Sequence, residues 1–148
     1  MLKKMFFFSV MLLAINAWSQ LDNQTRFTSD SREYFIWSEE KGKYELHETE
    51  YEHSLIDLRE IGSKTNGYVT LSLVDNGTAR LYHGSIYEYR LDGPDNDQGI
   101  WSLRNKVMRS RLLYNPKENT VTYSFEADDI RYRKFFVFHI TAIDNYKK

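Results

Sequence analysis

Polar and apolar residues alternate with a period of two along much of the chain, and residues 120–128 show this most clearly. Threonine, serine and acidic residues take every second position there, and the positions between them are apolar: Val121, Tyr123, Phe125 and Ala127. Successive side chains of a β-strand point to opposite faces of its sheet. The pattern therefore predicts a strand with one buried face and one face in water.

The next segment, residues 130–140, repeats this alternation. A two-residue turn at Asp128-Asp129 would join the two strands into a hairpin. In that register Phe125 faces Tyr132, so that one ring pairs with another across the two strands.

Lys134 stands out in the second strand of this predicted hairpin. It lies on the apolar side with Phe136 and Phe138, and the two-residue turn places it opposite Tyr123. A charge in such a position either extends to solvent or points into a pocket. Lys134 is therefore a candidate binding residue.

The dipeptide Asn76-Gly77 lies between two further alternating segments, residues 68–75 and 78–85. Asn-Gly readily adopts the positive φ angles of a type I′ turn, so it predicts a second hairpin. Pairing about this turn places Leu71 opposite Tyr82. The sequence does not indicate which face of this hairpin is buried.

Further short strands are predicted at residues 33–38, 44–51, 55–61, 86–91, 100–105 and 109–114, with turn-forming residues between them. No helical pattern of apolar residues is sustained over three turns. The chain is therefore predicted to be all-β, an antiparallel meander of about eight strands that closes as a small barrel or packs as a β-sandwich. A lipocalin-like topology is compatible with this prediction, although no Gly-x-Trp motif precedes Trp37.

The first nineteen residues have the features of a signal peptide. Lys3 and Lys4 precede a short apolar run, and Ala17-Trp18-Ser19 forms an acceptable cleavage site before Gln20. We expect residues 1–19 to be removed and residues 20–148 to form a single domain. The chain has no cysteine, so the cleavage site lacks a lipid attachment point and no disulfide is available. These features predict a secreted or periplasmic protein without a stable membrane anchor.

The candidate chemistry points to binding rather than catalysis. The chain has no Gly-x-Ser-x-Gly motif, and its four histidines lack the spacing of a metal site. We therefore predict no catalytic residue, metal or cofactor. A formal net charge of −1 also gives no reason to expect nucleic acid as a partner. The alternative is a hydrolase-like enzyme whose acid and base carboxylates are dispersed along the chain.

A basic cluster follows an aromatic residue in the second half of the chain, formed by Trp101, Arg104, Arg109 and Arg111. Aromatic and guanidinium groups together can bind an anion or an acidic protein surface. The same residues could also form a solvated face of two adjacent strands. We predict that the domain is a non-enzymatic binding module for a small ligand or a protein partner, with this cluster and Lys134 as its candidate site.

Overall fold

The computed structural model describes residues 21–129 and 133–147. The predicted signal peptide, residues 1–19, lies outside these described residues and stays a prediction. Residues 130–132 of the last predicted hairpin lie outside them as well. Within the described part of the chain, no helix is long and apolar enough to cross a membrane.

Every regular element of the described residues is a β-strand. The strands follow the chain as β1 (Leu21–Ser38), β2 (Lys43–Glu50), β3 (Ser54–Asp75), β4 (Thr78–Asp92), β5 (Gln98–Arg104), β6 (Arg109–Asn115), β7 (Thr120–Glu126) and β8 (Lys134–Lys147). Neighbouring strands pair antiparallel from β3 to β8, while β1 pairs with β2, β3 and β8. The pairing of β8 with β1 closes a barrel-like ring of hydrogen bonds.

Strand β3 turns back on itself within its own span. Its residues 54–62 pair with β1, whereas residues 68–75 pair with β4. Gly67 lies so close to the first arm that a Cβ atom there would be 1.9 Å from the carbonyl oxygen of Arg59. An antiparallel ring needs an even number of strands, and the two arms of β3 supply that number. The ring therefore has eight members, with β2 as a ninth strand beside β1.

Alternate residues of the ring strands point inward and form the core. The buried apolar side chains include Phe27, Ile56, Leu71, Leu103, Leu112, Val121, Tyr123 and Phe138. Burial of one such side chain contributes about 1.5–3 kcal/mol. Because the chain has no cysteine, this interior has no disulfide to support it and stabilises the fold by packing.

The all-β antiparallel meander predicted from the alternation is confirmed. The hairpin at Asn76-Gly77 is confirmed too, with Leu71 paired to Tyr82 and positive φ angles of 49° and 78° at the two turn residues. The structure also shows the face that the sequence left open. Val69, Leu71 and Leu73 are the buried residues of its first strand.

The register predicted for the last hairpin is wrong by two residues. Phe125 pairs with Lys134 rather than Tyr132, because the connection is longer than a two-residue turn. A shift of two residues leaves every side chain on its original face. The buried side was therefore predicted correctly, but Lys134 lies opposite Phe125 and not Tyr123.

The largest differences from the predicted strand boundaries are in β1, β4 and β8. Strand β1 begins at Leu21 rather than residue 33, β4 is one continuous strand instead of two, and β8 extends to Lys147. The first half of β1 lacks a visible alternation because two of its inward residues, Thr25 and Ser29, are polar.

Candidate binding site

Arg32 is the largest fully buried side chain of the described residues. Its Nη1 donates a hydrogen bond to Oγ of Ser54 at 3.1 Å, and its Nη2 donates to the carbonyl oxygen of Val74. Its Nε contacts Oε2 of Glu50 as an ion pair. A buried guanidinium is costly unless it is paired and hydrogen-bonded. These partners on β2 and β3 therefore hold it in one position.

A β-bulge in β1 turns Arg32 toward the interior. Ser29 pairs with Ile140 of β8 and Ser31 pairs with His139, so Asp30 is an extra residue between two paired ones. A bulge of this kind changes which residues face inward. Before the bulge the buried positions are odd-numbered, as at Ser29, and after it Arg32 is the buried residue.

Arg32 is one of the residues that line a cavity of about 230 Å³ near the ends of β2 and β8 and the β3–β4 hairpin. We call this space the Arg32 cavity. Its other charged lining residues are Glu50, Asp75, Arg80 and Lys134. Nε of Arg80 lies 3.0 Å from Oδ2 of Asp75, so the cavity contains two arginine–carboxylate ion pairs.

The remaining walls of the Arg32 cavity are aromatic and aliphatic, formed by Tyr34, Leu73, Tyr82 and Phe136. The rings of Tyr34 and Phe136 stack with their centroids 4.9 Å apart. Burial raises the pKa of the Tyr34 hydroxyl, and the nearby Tyr82 and Glu50 raise it further. That hydroxyl therefore keeps its proton and can donate a hydrogen bond into the cavity.

Glu50 has an unusual environment for a carboxyl group. Burial raises its pKa, and the positive charge and hydrogen bonding of Arg32 offset part of that effect. Asp75 and Glu48 add smaller increases through like-charge repulsion. The carboxyl group is therefore easier to protonate than a free glutamate, although it lies beside an arginine.

Lys134 occupies the junction between the Arg32 cavity and a larger space beside it. The side chain is half-buried, and its Nζ lies 5.1 Å from the centre of the Phe125 ring. No carboxylate of the described residues forms an ion pair with it. Its positive charge is thus held over an aromatic ring without a counterion from the described chain.

The larger space is a groove of about 840 Å³ between the β5–β6 turn and the ends of β7 and β8. We call it the basic groove, because its cationic lining residues outnumber Glu126 and Asp128. The cations are Arg104, Lys106, Arg109, Arg133 and Lys134. Since the whole chain has a formal net charge of −1, this end of the ring has a local excess of positive charge.

The structure brings together only part of the site predicted from the sequence. Arg104 and Arg109 line the basic groove, and Lys134 lines both the groove and the Arg32 cavity. Arg111 instead forms an ion pair with Glu126 on the outer face, with Nε and Oε1 2.6 Å apart.

Trp101 is separated from the arginines with which the sequence grouped it. Its ring is buried in the core, 5.1 Å from that of Tyr89. Lys64 lies 6.0 Å from the Trp101 ring and also pairs with Glu60, which accepts a hydrogen bond from Asn23. Asn23 and Arg32 are far apart along β1, so Trp101 belongs to the opposite end of the ring.

Most residues of the Arg32 cavity had no signal in the sequence. Glu50 and Asp75 each belong to a strand with several polar neighbours, and Arg80 is one exposed cation among many. Arg32 lies just before a predicted strand rather than in one. The single sequence signal that does lead to the cavity is Lys134, a charge on the apolar side of its strand.

Within the residues that the structure describes, no three histidine, aspartate or glutamate side chains form a group that could hold a metal ion. No family model, curated protein or solved structure matches the chain. The candidate function therefore rests on the geometry of the Arg32 cavity and its surroundings.

Proposed function

We propose that this protein is a binding domain that holds a small ligand in the Arg32 cavity. The observation that carries the proposal is a fully buried arginine, fixed by three partners, at the wall of a cavity with aromatic sides. Small-molecule sites are typically concave and mostly apolar, with a few polar groups in fixed positions. The Arg32 cavity is concave, has an aromatic and aliphatic wall of four residues, and holds its arginines and carboxylates in fixed ion pairs.

The energetics of Arg32 also favour a role in binding. A buried ion pair contributes little net stability, because the loss of hydration offsets most of the attraction between the charges. Apolar residues would fill the same position at least as well for the fold alone. A binding role accounts for a fully buried arginine at the wall of a cavity. In this proposal the domain acts after the export that its first residues predict.

A hydrolase-like enzyme is a second candidate, because Glu50 and Asp75 line the same cavity and the pKa of Glu50 is raised. Acid–base catalysis uses such a pair of carboxyl groups in unequal environments. Here, however, Glu50 pairs with Arg32 and Asp75 pairs with Arg80. These ion pairs favour binding without chemistry.

A screen of small metabolites by thermal unfolding tests the proposal. A ligand at 100 times its Kd stabilises the folded protein by about 2.7 kcal/mol, which is readily measured. We expect Leu73→Phe, which fills the cavity, to abolish this stabilisation. Ser72→Phe adds the same ring to the exposed face of β3 and should leave it intact.

Two results would contradict the proposal: a screen in which no compound stabilises the wild-type protein, or equal stabilisation of the Leu73→Phe variant. Mass analysis of each bound compound after incubation distinguishes the two candidates, because a binding domain returns its ligand unchanged and a hydrolase does not.

A further inference from the structure

One positive charge of the Arg32 cavity has no counterion among the described residues. Arg32 is paired with Glu50, and Arg80 is paired with Asp75. These two pairs cancel, which leaves the ammonium of Lys134 as the uncompensated charge of the lining. The cavity therefore has an excess of one positive charge.

The position of Lys134 makes this charge available to a ligand. The residue lies on the inward face of β8, in register with Phe125 and next to Phe136 on that face. Its contact with the Phe125 ring is electrostatic, and no side chain of the described residues accepts a hydrogen bond from its three ammonium donors. A half-buried ammonium with free donors is well suited to an anion.

The aromatic and aliphatic wall of the cavity favours a ligand with an apolar body. The rings of Tyr34, Tyr82 and Phe136 and the side chain of Leu73 face the space, and the Tyr34 hydroxyl keeps its proton. The volume of about 230 Å³ lies below the roughly 300–1,000 Å³ of pockets for drug-sized ligands. A ligand of this site is therefore smaller than a typical drug molecule.

We propose that the ligand is a small organic monocarboxylate, which pairs with Nζ of Lys134 and lays its apolar body against Tyr34, Tyr82 and Phe136. The inference rests on the proposed function and specifies its ligand class. One carboxylate neutralises the single uncompensated ammonium, whereas a dianion would bring a second negative charge into a cavity whose two arginines are already paired with carboxylates. The basic groove beside the cavity attracts anions toward Lys134.

The test compares carboxylates with neutral molecules of the same shape. Benzoate, phenylacetate and hexanoate are each titrated beside the corresponding amide, and phenyl phosphate serves as a dianionic probe. Binding is followed by calorimetry and by the NMR shifts of cavity residues. We expect at least one carboxylate to bind at least ten-fold more tightly than its amide and to shift the signals of Tyr34 and Lys134.

Three lysine variants identify the contact. Lys134→Met keeps the apolar stem and removes the charge, so the carboxylate should lose at least ten-fold in affinity while the amide is unaffected. Lys134→Arg should retain the preference for the carboxylate. Lys106→Met removes a charge that lines only the basic groove, and it should cost less than about three-fold. The thermal midpoint of each variant shows that it is folded.

Equal affinity for carboxylate and amide would overturn the inference and leave the proposed function standing. A carboxylate preference that persists in Lys134→Met would also overturn it, because another cation would then be responsible. Binding of phenyl phosphate alone would exclude a monocarboxylate ligand. If no probe shifts the signals of the cavity residues, the inference is wrong, while the metabolite screen separately decides the proposed function.

Discussion

At the residue scale, the two members of the Arg32–Glu50 ion pair respond differently to the loss of their partner. A buried carboxylate without its partner can take up a proton and become neutral, but an arginine stays charged at any ordinary pH. Arg32 is fully buried, while the Glu50 side chain keeps an exposed fraction of 12%. Loss of Glu50 therefore leaves the more costly isolated charge.

We expect Glu50→Leu to reduce the free energy of unfolding by about 3–5 kcal/mol and Arg32→Met to reduce it by less. The double variant should recover much of the loss, because it leaves no buried charge unpaired. Urea denaturation of the four proteins gives the coupling energy between the two sites. The exposed pair Lys41–Glu45 is the control and should couple by under about 1 kcal/mol. A coupling at Arg32–Glu50 no larger than at this control would contradict the prediction.

The raised pKa of Glu50 predicts a dependence of stability on pH. In the unfolded chain this carboxyl loses its proton near its ordinary pKa of 4.5, while the folded protein keeps the proton to higher pH. The folded state therefore binds more protons in that interval, so this group's contribution to stability falls as pH rises through it. Above the folded pKa the contribution is constant.

The comparison of wild type with Glu50→Gln isolates this contribution, because the glutamine does not titrate. Urea denaturation at several pH values from 4 to 7 should show the wild type losing stability relative to Glu50→Gln as pH rises, by at most about 1.4 kcal/mol per pH unit. A stability of the wild type relative to Glu50→Gln that stays constant or rises with pH would show that the folded pKa of Glu50 is not raised.

At the element scale, the ring depends on the reversal of β3 between residues 62 and 67. Gly67 has a φ of +135°, and a Cβ atom there would overlap the backbone of Arg59. Gly77, in the turn between β3 and β4, also has a positive φ, of +78°, but a Cβ atom there would meet nothing within 4 Å. A comparison of alanine substitutions at the two glycines therefore distinguishes the energetic cost of a steric overlap from that of a positive φ angle.

We expect Gly67→Ala to destabilise the protein by about 3 kcal/mol or more, since overpacking and backbone strain add there. Gly77→Ala should cost only about 1–2 kcal/mol, because it meets strain without overlap. Chemical denaturation of both variants checks this. Similar losses would mean that the first and second arms of β3 are less closely packed at Gly67 than the structure shows.

The elements with a strong local signal were predictable, and those formed by distant partners were not. Asn76-Gly77 specifies its turn and register through two residues alone, so its hairpin follows from the sequence. The first half of β1 is a strand because β3 and β8 pair with it on both edges. Two of its inward residues are polar, and a buried serine cannot be distinguished from a surface serine in the sequence pattern.

The same reason limits what the sequence could say of the site. The bulge at Asp30 arises from the pairing of β1 with β8, and only this pairing makes Arg32 an inward residue. Lys134 was recognisable because its own strand has a regular apolar side. The Arg32 cavity therefore follows only from the three-dimensional pairing of the strands. Arg104 and Arg109 of the basic groove, in contrast, form a cluster of charge in the sequence itself.

At the scale of the whole molecule, the ring is closed by strands from the two ends of the described chain. Residues 23–36 of β1 pair with residues 134–147 of β8. The β3–β4 hairpin instead joins neighbours across the two-residue turn at Asn76-Gly77. The entropy lost on closing a loop grows with its length, so the β1–β8 pairing has a larger cost before its contacts stabilise the fold.

We therefore expect the hairpin to form early in folding and the β1–β8 pairing to form last. Val69→Ala, in the β3–β4 hairpin, and Ile140→Val, beside Ser29 of β1, each remove buried methyl groups without adding new contacts. Val69→Ala should slow folding, whereas Ile140→Val should mainly speed unfolding, because its contacts are absent from the transition state. Stopped-flow folding and unfolding in urea measures both rates. The opposite distribution, with folding slowed mainly by Ile140→Val, would show that the ring closes first and that the hairpin forms within it.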